Sequence, residues 1–354
     1  RYLHESILDY AENLTSTLPN SLEVCYFTNS GSESNDLALR IARSYSNSHE
    51  SIVLSSAYHG HTASLIDVSP YKFLGVGGKG KPHFVHVIPV PDQFRGEHKQ
   101  KGKSIGQYYI QLLKDTIKNI QKRGKQLSLF IIEPVMGCGG QIMIPRSFML
   151  EAFQIVNEAG GLCIVDEVQI GFGRLGSHFW GFQMSGVVPD IITLGKSIGN
   201  GHPLSVVITK KNIADTFNNG MEYFNSFGGN PVSCEIGQAV LDVIKEERLQ
   251  ENASSTGGHL LEGLKDIQND FNIIGDVRGK GLFIGVELIK DMRNMIPAPN
   301  EAEFVVNAMK DKGILISSDG PDHNVLKIKP PLVFNKKNAD YFLESFEAVL
   351  SKSF

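Results

Sequence analysis

Cysteine is scarce in this 354-residue chain: Cys25, Cys138, Cys163 and Cys234 lie far apart, with no CxxC pair among them. That spacing excludes a zinc ribbon and a secreted disulfide scaffold, and it fits a reducing compartment. Cys25 and Cys163 fall in apolar runs and read as buried small hydrophobes. No apolar run approaches the ~18 residues of a membrane-crossing helix. Low-complexity tracts and internal repeats are also missing. Positive charge is in no surplus, since 34 Lys and Arg against 38 Asp and Glu leave a net charge of −4. A generally basic nucleic-acid binder is therefore excluded. Residues 1–20 place Leu3, Ile7, Leu8, Ala11 and Leu14 at helical spacing, which is not a signal-peptide pattern. The expectation is an intracellular soluble protein, cytoplasmic or mitochondrial, without nucleic-acid or membrane partners. The chain opens on Arg1 rather than Met.

Glycine, by contrast, is plentiful at 36 residues, spread among apolar runs as tight turns and close backbone approaches require. The length suits two domains. Short Val- and Ile-rich runs at 23–28, 51–55, 83–89, 127–133, 162–168, 189–194 and 204–209 read as strands. Helical spacing recurs at 33–45, 108–123, 147–159 and 232–244. Strands that are apolar on both faces, separated by helices, imply a mostly parallel sheet with ligands beyond its carboxyl edge. The rhythm then changes. A helix over 249–270 leads to a hairpin over 273–288, a helix at 301–312, strands at 314–317 and 325–328, and a helix at 337–350. Residues 70–107 show little periodicity and read as a surface excursion.

Four segments carry chemistry. Thr28-Asn29-Ser30-Gly31-Ser32-Glu33 opens a helix. Its free backbone N–H groups can cradle a phosphate, although Ser30 or Ser32 could equally be a plain N-cap. Tyr58-His59-Gly60-His61 offers an aromatic face to a planar ring, or else a wet loop. Asp166-Glu167 closes a strand at the ligand edge. No partner is spaced to complete a metal site, whereas one buried carboxylate can keep a ring nitrogen protonated. Lys196 closes the strand before a glycine-rich turn, where partial desolvation makes an amine nucleophilic. The bland alternative is a snorkelling lysine. Gly195-Lys196-Ser197 is no P-loop tail, because the upstream glycine would fall at Pro189 or Asp190. A phosphate cradle, a stacking ring, a carboxylate and an amine together are what pyridoxal phosphate (PLP) requires.

In this order the segments resemble the class III, ornithine- and 4-aminobutyrate-type, PLP-dependent aminotransferases of fold type I. The likeness runs nearly end to end. It includes Ile132-Glu133-Pro134, Phe227-Gly228-Gly229-Asn230-Pro231 and Arg278-Gly279-Lys280-Gly281-Leu282. It implies the α/β PLP-transferase fold: a mostly parallel sheet flanked by helices, and a smaller C-terminal α+β domain, divided at 1–248 and 249–354. It makes Lys196 the Schiff-base lysine, Asp166 the partner of the pyridine nitrogen and Tyr58 the stacking ring. Gln169 contacts the phenolic oxygen, and Ser30, Gly31 and Ser32 hold the phosphate. His59, Glu133 and Val168 complete the expected cofactor set, and no metal is implied. Ser226 stands where the family usually has Thr, with its hydroxyl on the cofactor phosphate of the neighbouring subunit. A homodimer with shared active sites follows. Family members also carry an N-terminal segment before the equivalent of Arg1, supplying part of the substrate pocket and dimer surface.

Two departures narrow the expected reaction. Members that use two amino-acid substrates carry a Glu five residues beyond the Glu133 position and an Arg near the C-terminus. These positions here hold Cys138 and Lys327, which removes the bidentate carboxylate clamp. The wording Cys138-Gly139-Gly140-Gln141, Ser69-Pro70-Tyr71-Lys72-Phe73 and Leu326-Lys327-Ile328-Lys329 is similar to a subgroup, the ethanolamine-phosphate and 5-phosphohydroxy-lysine phospho-lyases. The reaction implied is elimination of phosphate and ammonia from a small O-phosphorylated amine, giving an aldehyde. Lys196 would take the proton, and Lys327, Lys329 and Arg278 would contact substrate. The alternatives are an aminotransferase that passes the amino group to a 2-oxo acid, and a silent scaffold.

Overall fold

Most of the apolar runs in the first two thirds of the chain pair into one seven-stranded sheet. The structure is a computed structural model and describes residues 3–96 and 103–353. Among the described residues nine strands lie in this part: β1 (Val24–Thr28), β2 (Glu50–Leu54), β3 (Val85–Ile88), β4 (Leu127–Ile132), β5 (Val135–Met136), β6 (Ile142–Met143), β7 (Leu162–Asp166), β8 (Ile191–Leu194) and β9 (Ser205–Thr209). The large sheet runs β1-β9-β8-β7-β4-β2-β3, while β5 and β6 form a separate two-stranded ribbon. Strands β8, β7, β4, β2 and β3 pair in parallel. Only β9 runs against its neighbours.

Successive side chains of a strand face opposite ways, and the central strands use both faces for packing. On β4, Phe130 and Ile132 enter one core cluster while Leu129 and Ile131 enter another. Cys163 and Val165 of β7 alternate with Leu162 and Ile164 in the same sense. That is why these runs read as continuously apolar. The helices Gly31–Ser46, Lys103–Lys122, Arg146–Glu158 and Pro231–Glu246 alternate with the strands along the chain. Gly31–Ser46 packs on β4, β8 and β9, and Arg146–Glu158 packs on β4 and β7.

A second, antiparallel sheet holds β10 (Ile274–Lys280), β11 (Phe283–Asp291), β12 (Ile296–Pro297), β13 (Ser317–Asp319) and β14 (Val325–Ile328). The helices Leu249–Asp270, Pro299–Asp311 and Lys336–Ser351 pack around its own core cluster, which draws on residues from Leu260 to Leu350. The mostly parallel sheet flanked by helices, with a smaller α+β part after it, is thus as expected.

Several local expectations need correction. The apolar run 314–317 is not a strand. Pairing with β14 begins only at Ser317, and Leu315 is 84 % exposed. An apolar run announces its burial preference and not its hydrogen-bond partner. The described residues of the 70–107 stretch are not a mere surface excursion. They contain a short helix at Pro70–Phe73, the strand β3 paired with β2, and the start of the helix Lys103–Lys122; 97–102 lie outside the described residues. Cys25 is half-buried rather than buried, whereas Cys163 is fully buried. The short helices Ala63–Asp67 and Lys211–Phe217 had no sequence forecast. Among the described residues, no helix is long and apolar enough to cross a membrane.

The two parts touch closely at Gly281, whose φ of +55° favours glycine. A Cβ there would stand 2.5 Å from the carbonyl oxygen of Arg174. Gly281→Ala is expected to destabilise the fold by about 1–3 kcal/mol. Thermal unfolding checks this, and an unchanged Tm contradicts it.

Candidate active site

The carboxyl edge of the large sheet collects residues from five strands. Asn29 and Ser30 follow β1, Tyr58 and His59 follow β2, Glu133 follows β4, Asp166 ends β7, and Lys196 follows β8. All of them line one cavity of about 610 Å3, with Gly31, Ser32, Val168, Gln169, Arg174 and Lys329.

Its floor is the N-terminus of the helix Gly31–Ser46. Ser30 is the N-cap, and its hydroxyl accepts from the Glu33 N–H at 3.2 Å. The N–H groups of Gly31 and Ser32 donate to nothing among the described residues, which leaves them and the helix dipole for an anion. A Cβ at Gly31 would stand 2.8 Å from Val168 Cγ1, so only glycine fits without displacing that wall.

Asp166 is 5 % exposed. Its Oδ2 accepts from Asn35 Nδ2 at 2.8 Å and faces His59 Nδ1 at 3.0 Å. Oδ1 accepts from the Val168 N–H at 3.1 Å. Asn35 is itself fixed, because its Oδ1 accepts from the Thr193 hydroxyl at 2.6 Å. Against a carboxylate, the His59 hydrogen lies on Nδ1. Glu167, the other half of the acidic pair, points away and accepts from the Gly181 and Phe182 N–H groups at 2.9 and 2.8 Å. Burial nevertheless raises its carboxyl to about 7.

Glu133 is buried under Tyr58. Its carboxylate accepts from the Tyr58 N–H at 3.4 Å and the Gly137 N–H at 2.9 Å. Burial first, with nearby Asp166 adding, pushes it up to about 7 against the lowering pull of His59. Lys196 has φ +44°, a left-handed conformation uncommon outside glycine, and its side chain is exposed within the cavity.

Three expected site residues stand elsewhere. Ser226 is exposed on the segment after Asn219 and is not part of this wall. Arg278 is saturated outside the cavity, donating to Gly140 O and pairing with Asp276 and Glu287. Lys327 gives its Nζ to Asp319 Oδ2 at 2.7 Å. Of the expected substrate residues only Lys329 reaches the cavity, donating to Gln169 Oε1 at 3.1 Å. Burial, then the charges of Lys327, Arg174 and Lys196, lower its ammonium to about 7. Sequence reasoning gave no role to Asn35 or Arg174. Asn35 sits one helical turn beyond Gly31 and so shares its face. Arg174 lies in a turn whose flanking glycines, Gly173 and Gly176, were the available signal.

Comparison with known proteins decides the family. The aminotransferase class-III model matches residues 1–350. The chain belongs to the class III aminotransferases. Class III enzymes are PLP-dependent, and solved members hold the cofactor. One class III relative is a Drosophila melanogaster protein named alanine–glyoxylate aminotransferase 2-like, 47 % identical over 99 % of this chain and 72 % of its own. Another is a Caenorhabditis elegans protein named ethanolamine-phosphate phospho-lyase homolog 1, 40 % identical over 99 % of this chain and 78 % of its own. Among solved class III structures, an Arthrobacter phospholyase in complex with phosphoethanolamine superposes with a TM-score of 0.93 at 37 % identity, covering 100 % of this chain and 83 % of that one.

The cavity fits the family's cofactor. It presents free N–H groups at a helix N-terminus, a wall that a Cβ at Gly31 would close, a hydrogen-bonded carboxylate at Asp166 and an amine at Lys196. Among the described residues no group of three or more His, Cys, Asp or Glu could hold a metal ion.

Proposed function

We propose that the chain is a PLP-dependent phospho-lyase. It eliminates phosphate and ammonia from a small O-phosphorylated amine, phosphoethanolamine or 5-phosphohydroxy-lysine, and leaves an aldehyde. The observation that carries this is the charge of the cavity wall. Arg174, Lys196 and Lys329 line it, and none of them ion-pairs with a carboxylate among the described residues. The two carboxylates of the wall are engaged by other donors, Glu133 by Tyr58 and Gly137, and Asp166 by Asn35, His59 and Val168. A second anion beyond the cofactor's own phosphate suits such a wall. Cys138 and the Asp319-bound Lys327 occupy the positions of the carboxylate clamp, which also supports the reading.

When bound, pyridoxal phosphate supplies an aldehyde for the substrate amine and an electron sink for the carbon beside it. Gly31 and Ser32 would hold its phosphate, with Ser30 capping their helix. Tyr58 and Val168 would flank its ring, and Asp166, aligned by His59 and Asn35, would serve its ring nitrogen. Gln169 would serve its phenolic oxygen, and Glu133 supports the Tyr58 turn. Lys196 Nζ takes the proton from the carbon that bears the amine. The C–O bond on the neighbouring carbon then breaks, its electron pair leaving with phosphate, and water releases ammonia and the aldehyde. On the proposed division at 1–248 and 249–354, Lys329 is the second unit's contribution to the site. Met221, Phe224, Phe227 and Val232 expose an apolar face around Ser226, which supports a homodimer in which Ser226 serves the neighbouring site.

Phosphate release from phosphoethanolamine and from 5-phosphohydroxy-lysine, assayed without any 2-oxo acid, tests the proposal. Turnover is expected with at least one of them. A strict requirement for pyruvate or 2-oxoglutarate overturns it. The name of the Drosophila melanogaster relative favours the second reading, an aminotransferase, and that same requirement would establish it.

A further inference from the structure

We infer that Arg174 and Lys329 form the seat for the substrate's phosphate, with Arg174 deciding for a phosphorylated over an unphosphorylated amine; this rests on the phospho-lyase reading above. Arg174 lies in a turn shaped by positive φ at Phe172, Gly173 and Gly176. Its Nη1 donates to the carbonyl oxygens of Leu282 and Pro330 at 3.1 and 2.8 Å. Its own carbonyl accepts from the Leu282 N–H at 3.0 Å. One nitrogen is thus anchored. Nε and Nη2 donate to nothing among the described residues, and the side chain lines the cavity. That free edge is the two-donor fork that matches two oxygens of a phosphate, held in place before the ligand arrives.

Charge points the same way. Burial alone lowers the Arg174 guanidinium to about 10, and no carboxylate among the described residues offsets it. A cation taken out of water without a counter-ion is costly, and an arriving dianion removes that cost. Lys329 stands in the same wall, with its proton weakened by burial and by Lys327, Arg174 and Lys196. An anion between Arg174 and Lys329 would restore that proton. Lys327 is not a competitor for the role, since Asp319 already holds it. An amine with no anionic group in that place offers neither of them anything to bind.

Arg174 also ties its turn to Leu282 and Pro330, and a purely structural tie would move stability without moving anion affinity. The test therefore uses cofactor-loaded wild type, Arg174→Gln, Arg174→Lys and Lys329→Met. Calorimetry gives the Kd of inorganic phosphate, steady-state assays give the KM of phosphoethanolamine, and absorbance and Tm report cofactor content and folding. Kd and KM are expected to rise tenfold or more in Arg174→Gln and Lys329→Met at unchanged cofactor content, with Arg174→Lys recovering part of the loss. Phosphate affinity within twofold of wild type in both variants overturns the seat. Should Arg174→Gln fail to fold, Arg174→Lys and Lys329→Met decide alone. If wild type releases no phosphate from any phosphorylated amine yet binds inorganic phosphate through these two residues, the seat stands and the lyase reading falls. If wild type binds no phosphate, the seat falls whatever the turnover.

Discussion

Lys196→Ala is expected to lower phosphate release by about a thousandfold to ten-thousandfold, the range for losing a positioned proton-transfer group. Chain geometry concentrates the effect on this residue. Gly195 is extended and Lys196 then takes φ +44°, which turns the side chain from the end of β8 into the cavity. Lys329, the other wall amine, already donates to Gln169 and carries a different environment, so it is not a ready substitute. The cradle at Gly31 and Ser32 lies on another element, so the variant should still take up cofactor, but without a covalent link. Borohydride reduction followed by mass measurement should fix cofactor to wild type and not to Lys196→Ala. Phosphate release within tenfold of wild type, or cofactor still fixed to the variant, would sink the assignment.

How much of this was legible in the sequence depends on range. The strands at the sheet centre were readable because both faces are packed, so Leu129–Ile132 of β4 and Leu162–Val165 of β7 are apolar throughout with no solvent face to interrupt them. The edge that lines the cavity was readable too, since Asp166 ends one such run and Lys196 stands two residues beyond another. What escaped was contact between distant segments. Nothing local in Lys327 says that Asp319 will hold it, and nothing in Arg278 says that Gly140, Asp276 and Glu287 will surround it. Lys327 lies on β14 and Lys329 just past its end, two residues on, so alternation alone would put them on one face. The register of Lys327, opposite Gly285 on β11 and Ser317 on β13, brings it to Asp319, while Lys329 beyond the strand end reaches Gln169. The acidic pair shows the same limit, since adjacent carboxylates went to different partners. Buried Asn35 was hidden because an amide in a helix looks like surface until Thr193 and Asp166 are placed around it.

Asp166→Asn is expected to lower phosphate release by about a hundredfold to a thousandfold, as for removal of one preorganised electrostatic group. The carboxylate is surrounded by donors: Asn35 Nδ2, His59 Nδ1 and the Val168 N–H. An amide offers these donors one acceptor oxygen where the carboxylate offers two. Its NH2 must then face either the Val168 N–H or the Asn35 and His59 side. Orphaning a buried donor costs about 1–3 kcal/mol, so Tm should fall as well. Asn35→Ala separates the two effects, because it removes one donor while keeping the charge proposed to face the ring nitrogen. It should lower Tm comparably yet retain more phosphate release than Asp166→Asn at equal cofactor content. The visible spectrum of the loaded protein should shift in Asp166→Asn and change little in Asn35→Ala, since only the first removes the charge beside the ring. Equal spectra and equal activities in the two variants would mean that Asp166 acts through packing alone, and its role toward the cofactor would have to be abandoned.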